Sequence, residues 1–278
     1  MREFRDRVAV VTGAASGIGR GLAARCAREG MKVVMADIEE VALREAAEEL
    51  AATGAEVLAV PADVSSWSSV QTLANKAFST CGGVHLLFNN AGVNTNASMR
   101  EPLWEHSLDD WDWVMGINLR GVIHGIKAFL PRMLAQGAEG HVVNTASMAG
   151  LIAETKLVIY AVTKAAVVKL SEGLYLQLGE AKAPVGASVY CPAFVSSRLG
   201  VAERNRSGAV APADTGRPAL GKLFGDVPVI TPEQSADIVF EAIREERFYI
   251  WTDPLVPKLF RQLADNILAG KNPEPPRN

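Results

Sequence analysis

The chain of 278 residues predicts an α/β fold: one doubly wound parallel sheet of about seven strands, with helices on both faces, in a single domain. Two observations carry this reading. Short apolar runs bounded by turn residues recur along the chain and read as buried strands. Helical stretches lie between most of them, and that alternation builds a parallel sheet covered on both sides.

The first predicted strand, Val8 to Val11, runs through a glycine-rich turn into a helix from Gly17 to Glu29. Val33 to Ala36 is the second strand. The helix after it, Glu39 to Ala52, places Leu43, Ala47 and Leu50 at helical spacing, while Glu39, Glu40, Arg44, Glu45, Glu48 and Glu49 face away as a solvated surface. Strand Val57 to Val60 precedes helix Ser66 to Thr80, and strand Leu86 to Phe88 precedes a long helix from Leu108 to Leu134. His141 to Asn144, helix Ile159 to Leu178 and strand Ala187 to Tyr190 continue the pattern. From Ser196 to Ile230 the periodicity dissolves into Gly, Pro, Arg and Ala, which predicts a long substrate-binding loop or lid with at most short helices. Order resumes at Thr231-Pro-Glu-Gln234, with Thr231 as N-cap, Pro232 at the first helical position and Gln234 as the reciprocal cap of a helix to about Arg247. Phe248 to Trp251 is the last strand. The catalytic domain is assigned residues 1–270, and 271–278 a polar, proline-rich, mobile tail.

A formal net charge of -3 and an apolar content near half describe an ordinary soluble protein with one sizeable core. They point away from nucleic acid and from a strongly charged surface partner. Cys26, Cys81 and Cys191 lack metal-ligand spacing, and their odd number argues against a disulfide framework. No apolar run spans a bilayer and the amino terminus lacks a signal-peptide core, so no membrane association and a cytoplasmic location are expected. His85, His106, His124 and His141 show no ligand spacing and are read as structural or surface residues; no metal is expected.

Thr12-Gly-Ala-Ala-Ser-Gly-Ile-Gly19 follows one strand and opens one helix, the context of a dinucleotide-binding turn and of a Rossmann-type fold. Gly13 permits the sharp turn and Gly17 the approach of a pyrophosphate. Gly19 permits tight packing of helix on strand, and the helix amino terminus offers N–H groups to phosphate. Asp37, at the end of the second strand, can accept hydrogen bonds from the adenosine ribose and would repel a 2′-phosphate. Ser16 and Ile38 occupy positions where a basic residue might offset it. NAD is therefore favoured over NADP. Arg20 is expected to point along the outer helix.

Tyr160 and Lys164 are four apart in Tyr-Ala-Val-Thr-Lys, so they share one helix face. A phenol with its ordinary pKa of roughly 10 is a poor acid-base catalyst at neutral pH. A positive charge about 4 Å away is worth roughly 4 kcal/mol to the phenolate at an effective dielectric of about 20. Lys164 is thus expected to draw Tyr160 toward the working range.

With the glycine turn, Asp37 and the set Ser147, Tyr160 and Lys164 together, the chain strongly resembles the short-chain dehydrogenase/reductase family over nearly its whole length. Asp63-Val64 matches that family's adenine-contacting pair, Asn89-Asn-Ala-Gly92 its segment after the fourth strand, and Asn118 the asparagine of its catalytic tetrad. The resemblance implies Tyr160 as general acid/base, Ser147 on the substrate oxygen, Lys164 on the nicotinamide ribose, and Asn118 holding a water between Lys164 and solvent. It implies cofactor contacts from Gly13, Ser16, Gly17, Ile18, Gly19, Asp37, Asp63, Val64, Asn90, Ala91, Gly92, Tyr160, Lys164, Pro192, Val195 and Ser197. The family's Pro-Gly after the sixth strand is Pro192-Ala193 here, and Ala193 lacks the freedom of glycine at positive φ. Its threonine appears as Ser197, which keeps the hydroxyl.

The substrate pocket is expected among Met148, Ile152, Phe194 and Leu199, an apolar wall suited to a hydrophobic secondary alcohol or ketone. Arg198, Arg204, Arg206 and Arg217 on the loop are alternatively placed to capture a carboxylate or phosphate. Small residues on the two long helices, Gly116, Gly121, Gly125, Ala165, Ala166 and Gly173, permit close packing. In the family these helices pair between subunits, which implies a homotetramer or homodimer. The leading reading is an NAD-dependent alcohol dehydrogenase or ketoreductase. The rivals are an NADP-dependent keto or acyl reductase of biosynthesis and a non-catalytic nucleotide-binding regulator.

Overall fold

The computed structural model describes residues 1–95, 101–152, 156–206 and 228–274. Strands β1 (Val8–Thr12), β2 (Lys32–Asp37), β3 (Val57–Pro61), β4 (Leu86–Asn89), β5 (Gly140–Thr145), β6 (Val185–Cys191) and β7 (Tyr249–Trp251) form one parallel sheet in the order β3-β2-β1-β4-β5-β6-β7. Each predicted strand is present. Helices α1 (Gly17–Arg28), α2 (Glu40–Ala51), α3 (Trp67–Cys81), α4 (Leu108–Met115), α5 (Gly121–Ala135), α6 (Val158–Glu180), α7 (Pro232–Arg244) and α8 (Leu255–Leu268) surround it.

The alternation along each strand divides the core in two. Ala9, Val11, Val33, Met35, Leu86 and Phe88 pack with Leu22 of α1, Leu43 of α2 and Phe240 of α7. Val8, Val10, Val34, Leu87 and Val142 face the opposite side, against Leu73 of α3, Phe129 of α5 and Leu174 of α6. Because both faces are covered, a strand side chain of the Val or Leu type contributes roughly 1.5–3 kcal/mol by burial. This is why the strands read as unbroken apolar runs.

Helix ends follow their caps. Ser66 and Ser107 each accept a backbone N–H from the first turn of α3 and α4, and Gly82 closes α3 in the left-handed conformation. The predicted capping box of α7 is complete: Gln234 N donates to Thr231 Oγ1 at 3.2 Å and Thr231 N to Gln234 Oε1 at 2.9 Å. The long helix expected from Leu108 to Leu134 is interrupted by a π turn, Gly116–Arg120, between α4 and α5. Gly116 opens it and Gly121 follows it, a pair expected from the sequence only as small packing residues.

Helix α8 was not anticipated. Its Val256 and Leu259 complete a third apolar cluster with Val122, Val167, Val189 and Cys191. Two glycines expected to serve helix pairing between subunits are spent inside the chain: a Cβ on Gly121 would lie 2.8 Å from Val64 Cγ2, and one on Gly125 would collide with Asn89 Oδ1. Residues 271–274 are irregular. The rest of the expected tail, 275–278, and residues 207–227 of the expected lid, Arg217 included, lie outside the described residues. No helix among the described residues is long and apolar enough to cross a membrane.

Candidate active site

Strand order reverses between β1 and β4, where outgoing connections leave a crevice at the carboxyl ends of the strands. A cleft lies there, lined by residues at or just past those ends: Gly13, Asp37, Asp63, Asn90, Ala146 and Pro192. Ser16, Gly17, Ile18 and Gly19 also face it, as do Val64, Ala91, Gly92 and Ser197.

The glycine turn owes its path to sterics. Gly13 and Gly17 both adopt positive φ, +67° and +53°, a region that costs other L-residues energy. A Cβ on Gly13 would lie 2.9 Å from Ala91 Cα, and one on Gly19 would collide with the Gly13 carbonyl. The first turn of α1 has no side-chain cap, because the Ser16 hydroxyl makes no cap bond. Its N–H groups therefore remain directed at the cleft, as anion binding requires. Thr12 holds the facing wall. Its hydroxyl donates to Phe88 O at 3.2 Å and accepts from Asn90 N at 2.9 Å and Ala91 N at 3.1 Å, while Asn90 Nδ2 donates to Thr12 O at 2.9 Å.

Asp37 Oδ2 accepts from Ala15 N at 3.0 Å and Oδ1 from Glu39 N at 3.1 Å. The carboxylate thus ties the glycine turn to the start of α2, and each oxygen keeps lone-pair capacity for a ribose hydroxyl. Burial, opposed by these N–H donors, raises the Asp37 pKa. Asp63 Oδ1 accepts from the backbone and hydroxyl of Ser65. Arg20 pairs with Glu49 on the outer surface, as expected.

At the other end of the cleft, Tyr160 and Lys164 project from the first turns of α6, both buried. Lys164 Nζ donates to Thr145 O at 2.8 Å and lies 5.5 Å from the Tyr160 ring centroid. Ser147, in extended conformation after β5, accepts Ala149 N at 3.1 Å. Burial dominates the titration of the pair. The Tyr160 phenol is pushed up to about 12, with Ser147 hydrogen bonding opposing the rise, and the Lys164 ammonium is pushed down to about 8. Burial sets both shifts, and the expected pull of Lys164 on the phenol is not among their causes: the ammonium is directed at the Thr145 carbonyl.

Asn118 sits in the π turn. Its Nδ2 donates to Val93 O at 3.0 Å and Thr163 Oγ1 at 3.1 Å, its Oδ1 accepts Val93 N at 2.8 Å, and Thr163 Oγ1 donates to Tyr160 O at 2.7 Å. The side chain is therefore a clamp between the loop after β4 and the catalytic turn of α6. A Cβ on Gly92 would lie 3.4 Å from both Asn118 Oδ1 and Lys164 Nζ. Its bare backbone keeps the space between them open.

Three of the expected substrate-pocket residues share one apolar cluster. Met148 and Ile152 are buried in the third apolar cluster and Phe194 packs against it, because α8 covers that flank; Leu199 does line the cleft. Val195 forms an isolated parallel bridge with Ile230. Ala193 causes no strain, since it is absent from the positive-φ residues and its N–H donates to Thr252 Oγ1 at 2.9 Å. The histidines are structural. His85 Nδ1 accepts Val8 N, His141 is buried against Ser188 with its pKa pushed down to about 3, and His106 and His124 bond to backbone carbonyls.

Sequence reasoning missed the roles of Thr12 and Thr163, and it missed Asn205, which lines the cleft with Arg204 beside Glu39. Thr12 stands inside the turn that was read, while Thr163 lies between Tyr160 and Lys164; only their partners reveal their work.

The family model for short chain dehydrogenases matches residues 7–207. The chain belongs to the short-chain dehydrogenase family. It is an oxidoreductase of the kind that acts on hydroxyl groups. It is 40% identical over 250 residues to 1-deoxy-11-beta-hydroxypentalenate dehydrogenase of Streptomyces avermitilis, covering 90% of this chain and 86% of the relative. It is 33% identical over 282 residues to the CLA biosynthesis dehydrogenase/reductase of Lactiplantibacillus plantarum, covering 99% and 97%. Among solved structures, a short chain dehydrogenase/reductase from Burkholderia phymatum in complex with NAD superposes with a TM-score of 0.90 at 42% identity, over 100% of both chains.

Proposed function

We propose that this short-chain dehydrogenase transfers a hydride between NAD and a hydrophobic secondary alcohol or ketone. The observation that carries the reading is one cleft with the glycine turn and Asp37 at one end and Tyr160 with Lys164 at the other. The positive-φ glycines, the uncapped start of α1 and the spare lone pairs of Asp37 fit a dinucleotide without a 2′-phosphate, and the Burkholderia relative holds NAD. When bound, the nicotinamide supplies the hydride carrier.

The chain's own groups handle the oxygen and its proton. Tyr160 takes the hydroxyl proton during oxidation and returns it during reduction. Ser147 hydrogen-bonds the substrate oxygen, stabilising charge that grows there. Lys164 binds the nicotinamide ribose. Asn118 positions Thr163 and the Tyr160 turn and borders the open space beside Lys164, the route for a water-mediated proton relay. The pushed-up phenol makes deprotonation of Tyr160 the pH-sensitive requirement of the oxidative direction.

The test follows NADH absorbance over a panel of alicyclic and aryl secondary alcohols and ketones. Tyr160→Phe is expected to retain NADH binding while turnover falls by about 10²–10⁴-fold. Unchanged turnover in that variant would overturn the mechanism. An NADP-dependent keto or acyl reductase is the second reading, and Arg198 and Arg204 in the cleft speak for it. Their pairing with Glu39 speaks against it.

A further inference from the structure

Outside the catalytic groups, the densest cluster of charge in the cleft joins Glu39, at the start of α2, to the lid segment Leu199–Asn205. Arg204 grips the Glu39 carboxylate with two prongs: Nε donates to Oε2 at 3.1 Å and Nη2 to Oε1. Asn205 Nδ2 donates to Oε1 at 3.2 Å and Arg198 Nη1 to Oε2 at 3.4 Å. Glu39 and Arg204 are 19% and 17% exposed, so water does not screen the pair as it would on an open surface. Against burial, which pushes its carboxyl up, hydrogen bonds from Arg204 and Asn205 hold Glu39 below its ordinary pKa, so it is ionised at neutral pH.

The position matters. Glu39 N donates to Asp37 Oδ1, so the gripped carboxylate lies two residues from the one that reads the ribose, and Asp37, Ile38, Glu39, Arg198 and Arg204 line one cleft. A phosphate would present an arginine fork with the same pair of oxygens that Glu39 now presents. Arg204 is also held independently, with Nη1 donating to Arg198 O at 3.1 Å and Val201 O at 2.9 Å. The fork keeps its aim if the carboxylate is neutralised.

We propose that Glu39 is a second cofactor-selecting residue, which masks Arg204 and Arg198 in ion pairs and so withholds from a dinucleotide 2′-phosphate the guanidinium groups placed to bind it. Cofactor choice is then locked twice: Asp37 repels the phosphate and Glu39 occupies its receptors. The proposal rests on the NAD reading given above. It separates from that reading because it concerns what happens when Asp37 is removed.

The test measures kcat/KM and dissociation constants for NADH and NADPH in wild type, Asp37→Ser, Glu39→Gln and the double variant, with thermal melts to confirm folding. Asp37→Ser alone is expected to weaken NADH and to gain little with NADPH. The double variant is expected to exceed the product of the two single NADPH gains by about tenfold, the worth of a charge-assisted hydrogen bond. Adding Arg204→Met to the double variant should abolish that excess. If the double variant shows only the product of the single effects, or keeps its gain after Arg204→Met, masking is overturned. If NADH and NADPH weaken together in Glu39→Gln and in the double variant, Glu39 is only a structural latch and the proposal fails. Wild-type preference for NADPH would overturn the NAD reading, and masking with it, because the arginines would then be available already.

Discussion

Lys164 shows how a functional group is kept at a cost. With its pKa pushed from 10.5 down to about 8 by burial, its charged form at pH 7 costs on the order of 3 kcal/mol, offset in part by the bond to Thr145 O. Because the folded-state pKa is depressed, the unfolded chain binds more protons between about 8 and 10.5, and wild-type stability rises with pH through that window. Lys164→Met is therefore expected to melt a few degrees above wild type at pH 7 while losing turnover. The advantage should shrink several-fold by pH 10, where the folded-state amine is largely neutral. Melting curves of both proteins at pH 7 and pH 10 decide this; an equal difference at both would mean that the buried charge is not its source. The spacing of Tyr160 and Lys164 was readable because helices repeat every 3.6 residues. The balance between desolvation and attraction was not, since burial is set by β5, β6 and the loop after β4.

Among the elements, α5 and α6 illustrate opposite uses of glycine. Gly125 faces Asn89 Oδ1, which is held by the bond of Asn89 Nδ2 to Asn144 Oδ1 at 2.9 Å, whereas nothing lies within 4 Å of a Cβ on Gly179. Gly125→Ala should destabilise the protein by about 1–3 kcal/mol through overpacking. Gly179→Ala should stabilise it by about 0.4–1 kcal/mol by restricting the unfolded chain. Urea unfolding midpoints check both signs. Element positions were legible from apolar runs and caps such as Thr231 with Gln234. The π turn that carries Asn118 was not, because it is fixed by clamping between Val93 and Thr163, contacts 25 and 45 residues away in sequence. Helix α8 carried a readable signal, with Leu255, Leu259, Leu263 and Ile267 four apart, and was overlooked.

For the molecule as a whole, the exposed Val162, Tyr175 and Leu176 on α6 and Phe260, Ile267 and Leu268 on α8 form apolar surface that a monomer would leave wet. We infer a homotetramer or homodimer. Light scattering coupled to gel filtration should return a multiple of the 29.7 kDa chain, and Leu176→Glu should lower that mass. A monomeric wild type would refute the assembly. The sheet and the cleft at its switch point were foreseeable, because strand-helix alternation and right-handed crossovers leave few arrangements. By itself, the sequence determined what is local: the strands, the caps, the glycine turn, Asp37, and the shared helix face of Tyr160 and Lys164. Tertiary structure alone decided which groups meet across long separations: α8 in one apolar cluster with Met148 and Ile152, the Thr145 carbonyl against Lys164, and Arg204 across the cleft against Glu39. Backbone periodicity is written in neighbouring residues, whereas burial and charge pairing are set by elements that only packing brings together.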